Sequence, residues 1–264
     1  MHSEYIYKFK NSIEHEFKFV GKYGCKGEKR APRRKKTPAE MEWQNHINKV
    51  NRIRRLIKAN FFPNDLWVCL KYPKGTRRSL EEAKKDLTDF FKYMRRDYKK
   101  RYEVLKFIYR IEIGKRGGIH IHLLLNRIYG ADLLIQKNWK HGRAHYTNLY
   151  ETGDYKQLAS YIVKDIPEEC KQMSLFDVEE EKRFTPYNSS RNLIRPIPEK
   201  KTYARKTMRK LIQEGPKARE GFYVDKDSIR IGVNQWTGYS YMQYTEIRIN
   251  QVTRPLKPPP EGIT

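Results

Sequence analysis

One stretch constrains this chain more than any other. Leu105-Lys-Phe-Ile-Tyr-Arg-Ile-Glu-Ile113 is followed, after a glycine-rich turn, by Ile119-His-Ile-His-Leu-Leu-Leu125. Odd positions before the turn are apolar (Leu105, Phe107, Tyr109, Ile111, Ile113), and even positions are largely polar (Lys106, Arg110, Glu112). After it, Ile119, Ile121, Leu123 and Leu125 alternate with the polar pair His120 and His122. Side chains alternate faces along a strand, so each half has a core side and a chemistry side. Gly114 and the Gly117-Gly118 pair supply the turn of a β-hairpin. With even positions opposite even, Glu112 falls across from His120 and diagonal to His122. Two imidazoles and a carboxylate with open positions suit Mn²⁺, Mg²⁺ or another divalent ion that must also hold a substrate oxygen. The motif indicates a metal site and leaves the reaction open.

Composition narrows the reaction. The chain carries 56 Lys+Arg against 31 Asp+Glu, a formal charge of +25 that attracts polyanions. Its 19 Tyr and 11 Phe, interleaved with the basic residues, suit stacking on unpaired bases. No apolar run is long enough to span a bilayer, and no signal-peptide core opens the chain. Cys25, Cys69 and Cys170 are scattered and form neither a disulfide framework nor a zinc cluster, so a reducing cytoplasm is expected.

The pattern predicts an α+β protein, an antiparallel sheet with helices packed on one face. Residues 1–60 read as a basic N-terminal extension, 61–198 as the central domain, and 199–264 as a C-terminal extension with a Pro-rich, disordered tail after Arg254. Within the first, Arg33, Arg34, Lys35 and Lys36 belong to a cationic loop expected to stay unpacked and to touch phosphate, and 38–60 has helical spacing. In the central domain, Leu66–Tyr72 reads as a buried strand. Ser79 and Glu82 form a capping box opening a long helix, and 131–140 and 144–149 read as a helix and a short strand. A final helix is expected from Asp154 to before Pro167. Beyond it, a basic helix at 203–214 should precede strands at 221–233 and 239–249.

On the Asp154 helix, Tyr155, Leu158, Ala159, Ile162 and Ile166 share the core side, while Tyr161 and Lys164 lie off it. Ile119-His120-Ile121-His122-Leu123 followed by Tyr161-Ile-Val-Lys164 resembles the His–hydrophobic–His and Tyr-x-x-Lys motifs of HUH endonucleases, over about residues 62–200. The order of motifs is similar to the rolling-circle replication initiators of plasmids and single-stranded DNA phages, in which an acidic residue matching Glu112 is the third metal ligand. The resemblance implies a ferredoxin- or RRM-like sheet with the histidines on a central strand. It also implies metal-dependent nicking and joining of single-stranded origin DNA through a 5′-phosphotyrosine on Tyr161, with Lys164 assisting and no nucleotide cofactor. Tyr155 and Tyr150 are weaker candidates for a second nucleophile.

Lys115 and Arg116 in the hairpin turn and Arg191 in Tyr187-Asn-Ser-Ser-Arg-Asn-Leu193 are expected DNA contacts. Gln172, Leu175 and Phe176, in the acidic segment 168–182, resemble a peptide that docks on a host polymerase sliding clamp, and a host helicase is a further expected partner. No Walker-type loop occurs. The rival class is a non-enzymatic nucleic-acid-binding protein with an RRM-like sheet. A transposase or relaxase of the same chemistry is the third.

Overall fold

Two antiparallel five-stranded sheets, not one, organise the chain. The structure, a computed structural model, describes residues 2–19, 30–114, 117–150, 153–164, 187–204 and 207–258. Its contacts define two units, Lys49–Ile194 with Thr253–Thr264, and Met1–Asn48 with Arg195–Val252.

The Lys49–Ile194 unit contains the hairpin. Its sheet runs in the order β6 (Arg143–Asn148), β3 (Leu66–Lys71), β5 (Ile119–Leu125), β4 (Phe107–Ile113), β7 (Tyr187–Ser189). The histidine strand β5 is central. One face buries Leu66, Val68, Leu70, Ile111, Ile121 and Leu123 against α2 (Leu80–Lys100) and α3 (Ala131–Asn138). Each such fully buried aliphatic side chain contributes about 1.5–3 kcal/mol. The Ser79–Glu82 capping box opens α2 as expected, each partner's side chain accepting from the other's backbone N–H.

Helices do not stay on one face. The second half of α1 (Pro38–Asn60) and all of α4 (Lys156–Val163) cover part of the other side, where Val50, Ile53, Ile57, Ala159 and Ile162 pack on Ile108 and Leu124. Ile108 and Leu124 occupy the even, nominally polar phase of their strands, and this interruption of the alternation is what seats α4 on the chemistry face.

In the other unit the sheet order is β8 (Glu199–Tyr203), β1 (His2–Lys8), β2 (Ser12–Phe19), β10 (Ser240–Arg248), β9 (Phe222–Val233). Helix α5 (Met208–Glu214) packs Met208 and Leu211 on Phe17, Met242 and Tyr244. The expected N-terminal extension is therefore two strands of a sheet completed by the C-terminal segment, and the three-part division gives way to these two units. Residues 203–207, expected as helix, are the end of β8 and a connection. The basic loop is not free either. Ala31 N donates to Gly238 O at 2.8 Å, Arg30 Nε to Thr237 O at 2.7 Å and Arg34 Nε to Gln235 Oε1 at 3.1 Å, binding it along the β9–β10 turn. At the other end, Arg254 is anchored rather than loose, forking onto buried Asp65 at 2.6 and 3.0 Å. No described helix is long and apolar enough to cross a membrane.

Candidate active site

The hairpin forms in the expected register. Glu112 pairs with His120 and Arg110 with His122, and the turn closes through Gly114 N to Gly118 O at 2.8 Å. Gly117 sits at φ +75°, where a side chain would strain the backbone. Across the other edge of β5, Cys69 faces His122 and Lys71 faces His120, with His145 and Arg143 beyond them on β6. The open half of this face thus carries two rows, His145–Cys69–His122–Arg110 and Arg143–Lys71–His120–Glu112.

Tyr161 descends onto the end of these rows from α4. Its hydroxyl donates to Glu112 Oε2 at 2.5 Å, and His122 Nε2 lies 2.9 Å from the same oxygen. Trp67 stacks on His122 with ring centroids 5.7 Å apart, and the Tyr161 ring stands edge-on to both, 5.1 Å from His122 and 6.1 Å from Trp67. Burial pushes the Tyr161 phenol well above the ordinary tyrosine range, and the Glu112 carboxylate adds to that rise. Burial would also raise Glu112, but the donors from Tyr161 and His122 hold its carboxyl below the usual value. Burial keeps His122 below its ordinary value despite Glu112, which favours the neutral imidazole a metal ligand requires.

Both ends of the Tyr161 helix are fixed. At its start Asp154, at φ 63°, forms ion pairs with Arg54 and Lys58 of α1. Tyr155 is buried in the core. At its end the buried Arg110 guanidinium donates from Nη1 to Ile162 O at 3.0 Å and to Lys164 O, and lies 5.7 Å from the Tyr161 ring centroid. A cation at a helix C-terminus meets the unpaired carbonyls and the negative end of the dipole. The alternation had marked Arg110 only as a polar strand position. Its pairing opposite His122 was the one available signal.

The remaining expected site residues divide. Lys164 is the C-cap of α4, its side chain exposed and, among the described residues, without a bond to Glu112, His122 or Tyr161. Tyr150 is exposed. Arg191 is exposed in the turn after β7, and Arg33 and Lys35 are exposed in the other unit. There, Arg34 pairs with Glu40 and Lys36 lies 4.1 Å over the Trp236 ring. Lys115, Arg116, Gln172, Leu175 and Phe176 lie outside the described residues.

Among the described residues, no three His, Cys, Asp or Glu side chains are arranged as they stand to hold an ion. The donors are instead turned on one another. Their chemistry nonetheless fits a divalent cation. The register sets a carboxylate opposite one imidazole and bonded to a second, and the buried His122 Nδ1 has no hydrogen-bond partner among the described residues.

Residues 65–166, spanning β3 to just past α4, match the model of a family described as Replication-associated protein ORF2. This likeness is consistent with replication initiation. No curated protein and no solved structure matches the chain.

Proposed function

We propose that the chain is a rolling-circle replication initiator that nicks and rejoins single-stranded origin DNA through Tyr161. The observation that carries this reading is the Tyr161 hydroxyl 2.5 Å from Glu112 Oε2, on an oxygen that also receives His122. A nucleophile, a carboxylate and an imidazole from three separate elements meet there, inside the segment similar to replication-associated proteins.

Glu112, His120 and His122 are the residues that would hold a divalent ion. When bound, such an ion neutralises a non-bridging phosphate oxygen and aligns the scissile phosphate. Tyr161 attacks phosphorus, its phenolic proton leaving to Glu112 or solvent, and the 3′-oxygen departs as a free hydroxyl. The phosphotyrosine retains the energy of the broken ester, so the reverse attack rejoins the strand without a nucleotide. While Glu112 accepts from Tyr161 it opposes ionisation of the phenol, so engagement of Glu112 by another partner favours attack. Arg110 positions the tyrosine by tying the end of α4 to β4. On the same reading, Arg191 contacts phosphate, and the segment holding Gln172, Leu175 and Phe176 serves as the sliding-clamp peptide.

The test uses origin oligonucleotides labelled at the 5′ or the 3′ end, incubated with Mn²⁺ and resolved on a denaturing protein gel. An adduct carrying the 3′ fragment, absent in Tyr161→Phe and in EDTA, is expected. An adduct that survives Tyr161→Phe would move the nucleophile to another tyrosine. No adduct with the native origin would favour a binding protein.

A further inference from the structure

The sheet of the Met1–Asn48 and Arg195–Val252 unit lies outside the family match. Its register sorts the residues of its two faces. His2, Ile6, Phe17, Met242 and Tyr244 share the face that meets α5. On the opposite face one row reads Thr202–Ser3–Lys18–Tyr241–Gly232, and the next reads Lys200–Tyr5–Glu16–Gln243–Arg230.

Two features of this face stand out. Tyr5 is flanked by cations from both neighbouring strands, Lys18 Nζ 5.0 Å and Lys200 Nζ 5.7 Å from its ring centroid. Tyr241 lies against the backbone of Gly232, where a Cβ would meet its ring atoms at 3.1–3.3 Å. A glycine opposite an aromatic lets the ring rest on the sheet and hold one orientation. Lys18, Lys200 and Arg230 are exposed, while Tyr5 and Tyr241 are half-buried, supported beneath and accessible above. Glu16 shares the face, but it is bonded to Lys18 at 2.8 Å and largely shielded. The bound basic segment, with exposed Arg33 and Lys35, borders the β9–β10 turn three residues from Tyr241 and adds to the positive charge.

We propose that this face binds single-stranded DNA, with bases stacked on Tyr5 and Tyr241 and phosphates held by Lys18, Lys200 and Arg230. Flat rings and exposed cations interleaved on a sheet suit unpaired bases, because every base has a π face and a backbone charge. A duplex hides its base faces and would use only the cations. The choice of DNA over RNA rests on the replication-associated match in the other unit; the stacking chemistry does not. The face would give the protein a second hold on the strand, independent of Tyr161.

The test is fluorescence anisotropy of the full chain in EDTA, where metal-dependent nicking cannot contribute, with one sequence presented as single-stranded DNA, single-stranded RNA and duplex DNA. Tyr5→Ala/Tyr241→Ala should weaken single-strand DNA binding at least about tenfold, from the usual worth of a stacked base, and leave duplex binding within about twofold. Tyr5→Phe/Tyr241→Phe should bind like the parent. Lys18→Gln/Lys200→Gln should reduce the slope of log K against log salt by about 1.4. Unchanged affinity in the alanine variant, equal loss on duplex, or tighter binding of RNA than DNA would overturn the proposal. Should the alanine variant fail to fold, photo-crosslinking of 5-iododeoxyuridine DNA to the wild-type chain decides. Cross-links on Tyr5 or Tyr241 support the face, and cross-links confined elsewhere refute it. A chain that binds through this face yet forms no adduct would separate failure of the nicking reading from failure of this one.

Discussion

Replacing Arg110 with Met tests whether the tyrosine helix is held in place for chemistry. The substitution keeps most of the volume but removes the two hydrogen bonds to Ile162 O and Lys164 O and the cation 5.7 Å from the Tyr161 ring. Hydrogen bonds from a charged donor contribute about 1.5–3 kcal/mol each, and the ring contact about 0.5–1 kcal/mol. Against this, the apolar side chain avoids the cost of burying a guanidinium, which often cancels a large part of such a sum. A net loss of about 2–4 kcal/mol follows, or roughly 4–16 °C in Tm at about 2–4 °C per kcal/mol. The catalytic effect should exceed what lost stability explains, because misplacement of a reacting group by about an ångström costs on the order of a hundredfold. Single-turnover adduct formation, measured well below either melting temperature, separates the two effects. A frayed α4 lowers the rate constant about 10–100-fold with adduct amplitude and DNA Kd unchanged, and the amides of Ile162, Val163 and Lys164 lose exchange protection. Arg110→Lys, which keeps the charge but not the fork, should recover part of the rate. A rate constant within about twofold of wild type with those amides still protected would refute the positioning role. So would a loss confined to amplitude, since that reports only fewer folded molecules.

Glu112→Gln removes the carboxylate that helps raise the Tyr161 phenol, so its pKa should fall toward the ordinary value of about 10. Tyrosinate absorbance against pH, differenced against the same variant carrying Tyr161→Phe, reads this directly, and no shift would leave burial as the whole cause. Asp65→Ala strips a fully buried carboxylate from Arg254 and from the backbone N–H groups of Phe62 and Arg127. Thermal or urea unfolding should show a loss of about 3–5 kcal/mol, and a loss below about 1 kcal/mol would show that the Arg254 segment is not anchored there. In the other unit, burial raises Glu4, but donors from His15 at 2.6 Å and Tyr203 at 2.7 Å bring its carboxyl below the usual value. A depressed carboxylate stabilises above its unfolded pKa of about 4.3 and loses that contribution as pH falls through the folded value. Glu4→Gln should therefore be less stable at neutral pH and lose less Tm between pH 5 and pH 3 than wild type; parallel Tm–pH curves would remove Glu4 from the acid response.

What the sequence disclosed and what it hid divide along the range of the interactions. The 105–125 hairpin, its register and the capped start of α2 depend on neighbours a few residues apart, and the alternation, the glycine turn and the Ser79–Glu82 pair encode them locally. The pairing of β1 with β8 joins His2 to Tyr203, and that of β2 with β10 joins Phe17 to Met242. No local period announces such partners. The N-terminal strands were further disguised by burying polar groups: Glu4 and His15 satisfy one another inside the sheet, so a segment that reads as solvated is core.

The same physics accounts for the site. Alternation assigns a strand position to a face but cannot say what covers that face. Glu112, His120 and His122 were legible because their chemistry is unusual on a strand, whereas Arg110 read as an ordinary exposed cation until α4 closed over it. Tyr161 was legible from its place off the apolar side of a helix, yet its partner follows only from packing. Ile108 and Leu124 give α4 an apolar seat on the polar face, and that seat brings the phenol to Glu112. A change that weakens this seat should therefore injure the site without touching any of its polar groups.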